Sequence, residues 1–240
     1  MADNGAVFLS PHHDDVAFSV ASFSEGHGGD RLINVFSTSG YSSKALGLPS
    51  DAAFISKLRN LEDDRFARAA GLSRINLGES DSPLRGHDPF DAADREREAG
   101  HIRDVLMREL APRAGQTGRP RLFCPSGIGG HRDHLLVRDA IIAAYPTLAR
   151  NFHVAFYEDL PYASNHARRL AGVESLKRAA AFLDLTRFVR KTDARKLDLI
   201  SVYASQFAEP PTDLSEFCPA DGSGEPHEAV WSAEPLLLQD

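Results

Sequence analysis

Cysteine is nearly absent from this chain. Its 240 residues include two, Cys124 and Cys218, far apart and outside any Cys-x-x-Cys pattern, which excludes a disulfide framework and a thiolate zinc site. Any metal here has to be held by histidine and carboxylate. Long apolar runs are missing as well: no stretch approaches the ~20 residues needed to span a bilayer. The opening residues, Met1 to Gly5, lack the basic start and apolar segment of a secretion signal. No membrane association and a cytoplasmic location are therefore expected. A basic surplus is also lacking. Against 34 acidic side chains stand 27 Lys and Arg, a formal charge of −7, so the average surface repels a polyphosphate backbone and nucleic acid is not an expected partner. Internal repeats and long low-complexity tracts are absent too.

What is present is an ordinary globular balance, 42% hydrophobic and 25% charged, enough for one sizeable core. A single domain over 1–240 is the simplest organisation. Short apolar runs at 7–10, 32–37, 75–77, 121–124 and 154–157 read as buried strands. Segments 16–23, 52–70, 95–110 and 135–145 read as helices, and Gly71 is placed to cap the second. Residues 170–206 read as largely helical, interrupted by a short strand at 183–185. From Phe207 onward, Pro, Gly and acidic residues predict an irregular C-terminal extension of the same domain, 207–240. Alternating strands and helices predict an α/β, Rossmann-like three-layer fold with a mainly parallel sheet, whose post-strand loops gather at one edge.

Two of those loops carry unusual chemistry. The first strand ends in Pro11-His12-His13-Asp14-Asp15, and the strand at 121–124 is followed by His131-Arg132-Asp133-His134. One Asp-Asp pair alone would be read as a turn or a helix cap. Two clusters, each with His and Asp in a four-residue window and each after a strand, are harder to explain as separate caps. Zn²⁺ takes imidazole and carboxylate ligands, and a catalytic site uses three of them with one open position. His12, Asp15 and His134 supply such a set. Asp14 is then the natural general base.

The same residues resemble a known family. "SPHHDD" and "HRDH" look like the two signature motifs of the LmbE-like (PIG-L) zinc-dependent N-deacetylases. "LRNLEDDRFARAAG", "FYEDLPYA" and "KLDLISVYASQ" resemble further family segments in the expected order, so that the likeness runs from about residue 7 to 206. The resemblance implies one zinc ion on His12, Asp15 and His134, with Asp14 as base. It implies His131 as the residue that stabilises the oxyanion or protonates the leaving amine, and Asp133 as a carboxylate orienting a histidine ring. The implied reaction is removal of an N-acetyl group from an aminosugar-containing small molecule or natural-product intermediate, and the implied partner is that N-acetylated substrate. Two departures stand out: Val16 replaces a common Glu, and glycines 127, 129 and 130 stand where some members carry an oxyanion-assisting tyrosine.

Four further residues are candidates for substrate binding. Arg59 either pins Asp14 or binds a polar substrate group, against the alternative of a surface ion pair with Glu62 or Asp63. Arg85 sits in a loop from which it could reach a sugar hydroxyl or phosphate. Asp159 and Tyr162 fall on the functional edge, although Pro161 suits a plain structural turn there equally. His87, His101, His166 and His227 are expected at the surface. Residues 39–51 are a candidate lid, or an ordinary connection. The competing functions are hydrolysis of another amide, carbamoyl or ester bond at the same metal, and a non-catalytic binding protein on the same fold. Fe²⁺, Co²⁺ or Ni²⁺ would also fit a His₂-carboxylate site, and composition leaves the oligomeric state open.

Overall fold

A computed structural model describes residues 5–24, 29–43, 46–49, 51–91, 93–112 and 118–235. Seven strands form one sheet in the order β3-β2-β1-β4-β5-β7-β6: β1 (Val7–Ser10), β2 (Arg31–Asn34), β3 (Ser73–Asn76), β4 (Arg121–Pro125), β5 (His153–Tyr157), β6 (Thr186–Lys191) and β7 (His227–Ser232). The strands from β1 to β5 are mutually parallel, and β7 runs antiparallel to both β5 and β6. The central strands read as continuous apolar runs because both faces are covered, as in β1, whose four residues are all buried. Phe8 and Phe123, paired across β1 and β4, stack at 4.9 Å in the core.

The helices are α1 (Asp15–Ser19), α2 (Ala52–Ala70), α3 (Glu96–Glu109), α4 (Arg132–Leu148), α5 (His166–Ala179) and α6 (Ala194–Ser201). The chain moves outward from β1 through β2 to β3, then returns past β1 to β4 and on to β5. Right-handed crossovers put the helices of those two journeys on opposite faces of the sheet. The packing agrees: α6 lies against α1 and α2, while α3 lies against α4. The result is the expected three-layer, Rossmann-like architecture. Local chemistry sets the ends of α2. The Asp51 carboxylate accepts the Phe54 N–H at 2.6 Å, and Gly71 closes the helix at φ 72°, a conformation open to glycine at little cost. No described helix is long and apolar enough to cross a membrane.

This topology has one consequence for function. β1 and β4 are hydrogen-bonded neighbours, yet their following connections leave in opposite directions. Such a switch point opens a crevice outside the carboxyl ends of the strands, where open α/β sheets bind ligands. Both His/Asp clusters follow these two strands.

Three expectations need correction. The 207–240 segment is not irregular throughout, because β7 inserts into the sheet between β5 and β6, with all six residues buried. The strand read at 183–185 within 170–206 lies instead at Thr186–Lys191 as β6, whose alternation of partly buried and exposed side chains reflects its place at the sheet edge. His227 is not a surface residue. It is 2% exposed, in a charged cluster with Arg187 and Asp221. Of the candidate lid at 39–51, residues 44, 45 and 50 lie outside the described part.

Candidate active site at the β1/β4 crevice

Pro11 ends β1, and the chain turns so that the Asp15 carboxylate, on the first residue of α1, accepts the backbone N–H of His12 at 2.7 Å. The same carboxylate stands between two imidazoles. Its Oδ2 lies 3.4 Å from His12 Nδ1 and its Oδ1 lies 3.3 Å from His134 Nε2. The two sequence clusters thus meet. His131 is the N-cap of α4, and its Nδ1 accepts the Asp133 N–H at 3.2 Å. The rings of His12, His131 and His134 lie 4.9–5.3 Å apart, centroid to centroid.

Each of the two histidines beside Asp15 is gripped at its other nitrogen by a buried carboxylate. His12 Nε2 pairs with Asp133 Oδ2 at 3.0 Å, and His134 Nδ1 with Asp159 Oδ1 at 2.7 Å. A carboxylate partner fixes the proton on the nitrogen it contacts and leaves the opposite nitrogen directed at Asp15. Asp133 is itself held by the Ser82 N–H at 2.9 Å and by Arg85 Nη2 at 2.8 Å, and Arg85 stacks over Phe36 at 4.7 Å. Asp159 accepts hydrogen bonds from Ser126 Oγ at 2.7 Å and from the Ile128 N–H at 2.9 Å.

The electrostatics follow. Burial opposes charge on His12, but its hydrogen bonds to Asp133 and Asp15 outweigh that and raise its pKa to about 9. His134 is likewise raised well above its ordinary value, against burial, by Asp15 first and Asp159 next. Asp15 and Asp133 are held well below the usual carboxylate range by these same rings, again in opposition to burial. Without a metal, the pocket therefore draws in two protons as counter-charges to its carboxylates. A divalent cation supplies the same two charges with both imidazoles neutral, which is the donor state metals require. The donor set fits such an ion. Two groupings are on hand: His12 and His134 with Asp15, or the three rings of His12, His131 and His134, whose donor nitrogens lie within 4.8 Å of one another.

Asp14 is the N-cap residue of α1, next to Asp15 in the chain. Its Oδ1 accepts a hydrogen bond from Arg59 Nη2 at 2.9 Å, and Arg59 Nη1 donates to Ser39 Oγ at 3.0 Å. Arg59 is 3% exposed, so the alternative of a surface ion pair fails: the stripe of α2 carrying Arg59, Glu62 and Asp63 faces inward. Two other candidates are engaged with the cluster's outer carboxylates and rings. Asp159 is fully buried behind His134 with both oxygens engaged, and Arg85, partly buried, donates to Asp133. Tyr162 does reach the site, its ring 6.0 Å from that of His134 and packed on the backbone of Gly129. His13 is fully buried. Burial foremost, then the Arg59 charge, pushes it down to about 2, and it stays neutral. Sequence reasoning missed Ser82 and Phe90, whose loop carries no local motif. It also missed Arg132, whose position inside "HRDH" was the available signal.

A model of the PIG-L family, described as GlcNAc-PI de-N-acetylase, matches residues 7–145 and so spans both clusters and the helix that bears Arg59. The chain belongs to the PIG-L (LmbE-like) family. A curated relative, the 2'-N-acetylparomamine deacetylase of Streptomyces fradiae, is 31% identical over 210 residues, covering 83% of this chain and 72% of that protein. Solved structures share the fold. The A40926 pseudoaglycone deacetylase aligns over 96% of this chain and 97% of its own at 21% identity and a TM-score of 0.64. A teicoplanin-pathway deacetylase aligns over 94% and 96% at 19% identity with a TM-score of 0.69. A zinc-inhibited form of teicoplanin deacetylase gives 0.65 at 21% identity, over 94% and 96%. This PIG-L protein is thus a hydrolytic N-deacetylase.

Proposed function

We propose that this PIG-L deacetylase removes the acetyl group from an N-acetylated aminosugar in a small natural-product intermediate, using one zinc ion held by His12, Asp15 and His134. It would work in the cytoplasm, where its two free cysteines stay reduced. The observation that carries this reading is the pair of imidazoles turned toward one carboxylate, each locked from behind by another, with Asp14 the neighbour of Asp15 at the start of α1. The His₂Asp grouping is preferred to the three-histidine one because Asp15 already spans both rings, while the His131 backbone cap leaves that ring for the substrate. When bound, the metal supplies a Lewis acid that makes water nucleophilic near neutral pH and polarises the amide carbonyl.

The protein's own groups do the rest. Arg59 holds the Asp14 carboxylate at the cluster, where Asp14 takes the proton of the attacking water and returns it to the departing amine. His131 is kept neutral: burial foremost pushes its pKa down to about 2, helped in the metal-free protein by the charges of His12 and His134. Because its Nδ1 accepts a backbone N–H, the ring proton sits on Nε2. His131 therefore acts as a neutral hydrogen-bond donor to the developing oxyanion, and Asp14 is left as the proton carrier. Tyr162, standing over Gly129, lines the same pocket from the β5 side.

The test is acetate release from 2'-N-acetylparomamine and simple N-acetylglucosaminides by metal-loaded protein, with Asp14→Asn in parallel. The variant is expected to keep its metal and lose about 100- to 10,000-fold in kcat. Failure to deacetylate any aminosugar would overturn the substrate class. An Asp14→Asn protein as active as the parent would remove the assigned base.

A further inference from the structure

Phe90 is 60% exposed, one of the most exposed large apolar side chains described, and it stands at the catalytic crevice. Its ring meets that of His131 at 5.6 Å and 75°, and that of Tyr162 at 6.4 Å and 83°. The clamp comes from Arg132, the residue between the two catalytic-motif positions His131 and Asp133, which is 1% exposed. The Arg132 N–H donates to Pro89 O at 2.6 Å, and Nη1 donates to Asp91 O and to Ala93 O, both at 2.8 Å. Nε is paired with Glu98 at 3.1 Å. The loop is braced internally as well: the Asp88 carboxylate accepts the Phe90 N–H at 2.7 Å, and the Asp91 carboxylate accepts the Ala93 N–H at 2.9 Å.

A single exposed apolar side chain is ordinary on a protein surface, but this ring is set beside His131 and Tyr162 by a loop whose backbone carbonyls are tied to Arg132. It is arranged correctly for a ligand with an apolar face. We propose that Phe90, with Tyr162 at right angles to it, forms a stacking corner for the pyranose ring that carries the acetamido group. Arg132 acts as the positioning residue that pre-forms this corner. A pyranose has one face of axial C–H groups, matched to an aromatic ring, and an equatorial rim of hydroxyls. Asp88 and Asp91, close to Phe90 in the same loop, are exposed, and the oxygens not bonded to the Phe90 and Ala93 N–H groups would meet hydroxyl or ammonium groups on that rim. The corner adjoins His131 and His134, so a sugar seated there brings its N-acetyl group to the metal-side cluster. This subsite rests on the deacetylase reading above and adds to it the residue that selects a ring over an open-chain amide.

Phe90→Ala, Phe90→Leu and Phe90→Trp test the proposal, with methyl N-acetylglucosaminide as probe. Truncating a ring this exposed removes little buried area, so all three are expected to fold, as thermal melting would verify. Phe90→Ala and Phe90→Leu should raise KM about tenfold with kcat changed far less, and Phe90→Trp should restore KM. Leucine keeps apolar bulk without a π face, so a Leu variant with parental KM would overturn stacking as the cause. Saturation-transfer NMR on the same sugar gives a readout independent of turnover: signal at the pyranose ring protons should fall in Phe90→Ala relative to the acetyl methyl. Unchanged KM together with unchanged transfer in Phe90→Ala would refute the subsite. If the parent bound the sugar through Phe90 by NMR but released no acetate, the deacetylase reading would fall while the subsite stood.

Discussion

Replacing Asp133 by asparagine is the sharpest test of how the crevice holds a metal. The Asp133 carboxylate faces three donors: the Ser82 N–H at 2.9 Å and His12 Nε2 at 3.0 Å on one oxygen, and Arg85 Nη2 at 2.8 Å on the other. An amide offers one acceptor atom and one NH₂ group, so Asp133→Asn sets a donor against a donor whichever way it is turned. If the NH₂ meets Arg85, a charge-assisted bond in a buried site is lost. If it meets His12, the imidazole must carry its proton on Nδ1, the nitrogen directed at Asp15, and can no longer donate its lone pair to a metal there. A lost hydrogen bond to a charged group costs about 1.5–3 kcal/mol. That agrees with the 10- to 100-fold loss of metal affinity expected when an outer carboxylate is removed from a ligand histidine, about 1.4–2.7 kcal/mol. Competition with a zinc chelator at fixed pH measures the affinity directly. A dissociation constant within threefold of the parent value would refute the claim that Asp133 orients His12 as a ligand.

Further outcomes follow from the same geometry. Because the pKa of His12 is raised from 6.5 to about 9 in the folded, metal-free protein, its charged pairing stabilises that state fully below pH 6.5, and the contribution is lost as pH rises through 9. Chemical denaturation of metal-free protein should thus show falling stability across that window, an effect smaller in Asp133→Asn, where Asp15 alone remains to raise His12. Since a bound ion replaces the protons on His12 and His134, zinc affinity should rise with pH over the same range, with up to about two protons released per ion, countable by calorimetry in buffers of different ionisation enthalpy. Gly129→Ala would place a methyl group 2.7 Å from Tyr162 Cδ1 at a φ of +93° that other residues rarely adopt. Tyr162 would be displaced, and acetate release should drop by at least about tenfold while zinc affinity stays within twofold. Parental turnover in that variant would remove Tyr162 from the pocket.

The cluster residues were legible in the sequence because His and Asp packed into four-residue windows after apolar strands have few structural uses, and their spacing is local. The partners that make them a site were less so. Asp159 and Arg85 read as candidate pocket residues, and only the folded loops bring them behind His134 and against Asp133. The inward face of α2 was left open for a related reason: Arg59 read either as a pin on Asp14 or a substrate ligand, or as a surface ion pair with Glu62 or Asp63, and only the folded helix buries all three residues against Asp14, Ser205 and Tyr203.

By itself the sequence determined the alternation of strands and helices, the boundaries of α2 through Asp51 and Gly71, and the donor types at the ends of β1 and β4. These are set by neighbours within a few residues, through periodicity, capping and turn chemistry. Tertiary structure alone decided that β1 and β4 are adjacent at the switch point, that β7 inserts between β5 and β6, and that Phe90 stands against His131. Strand order and loop docking depend on which distant surfaces bury each other, a choice made by the whole core that no local stretch encodes.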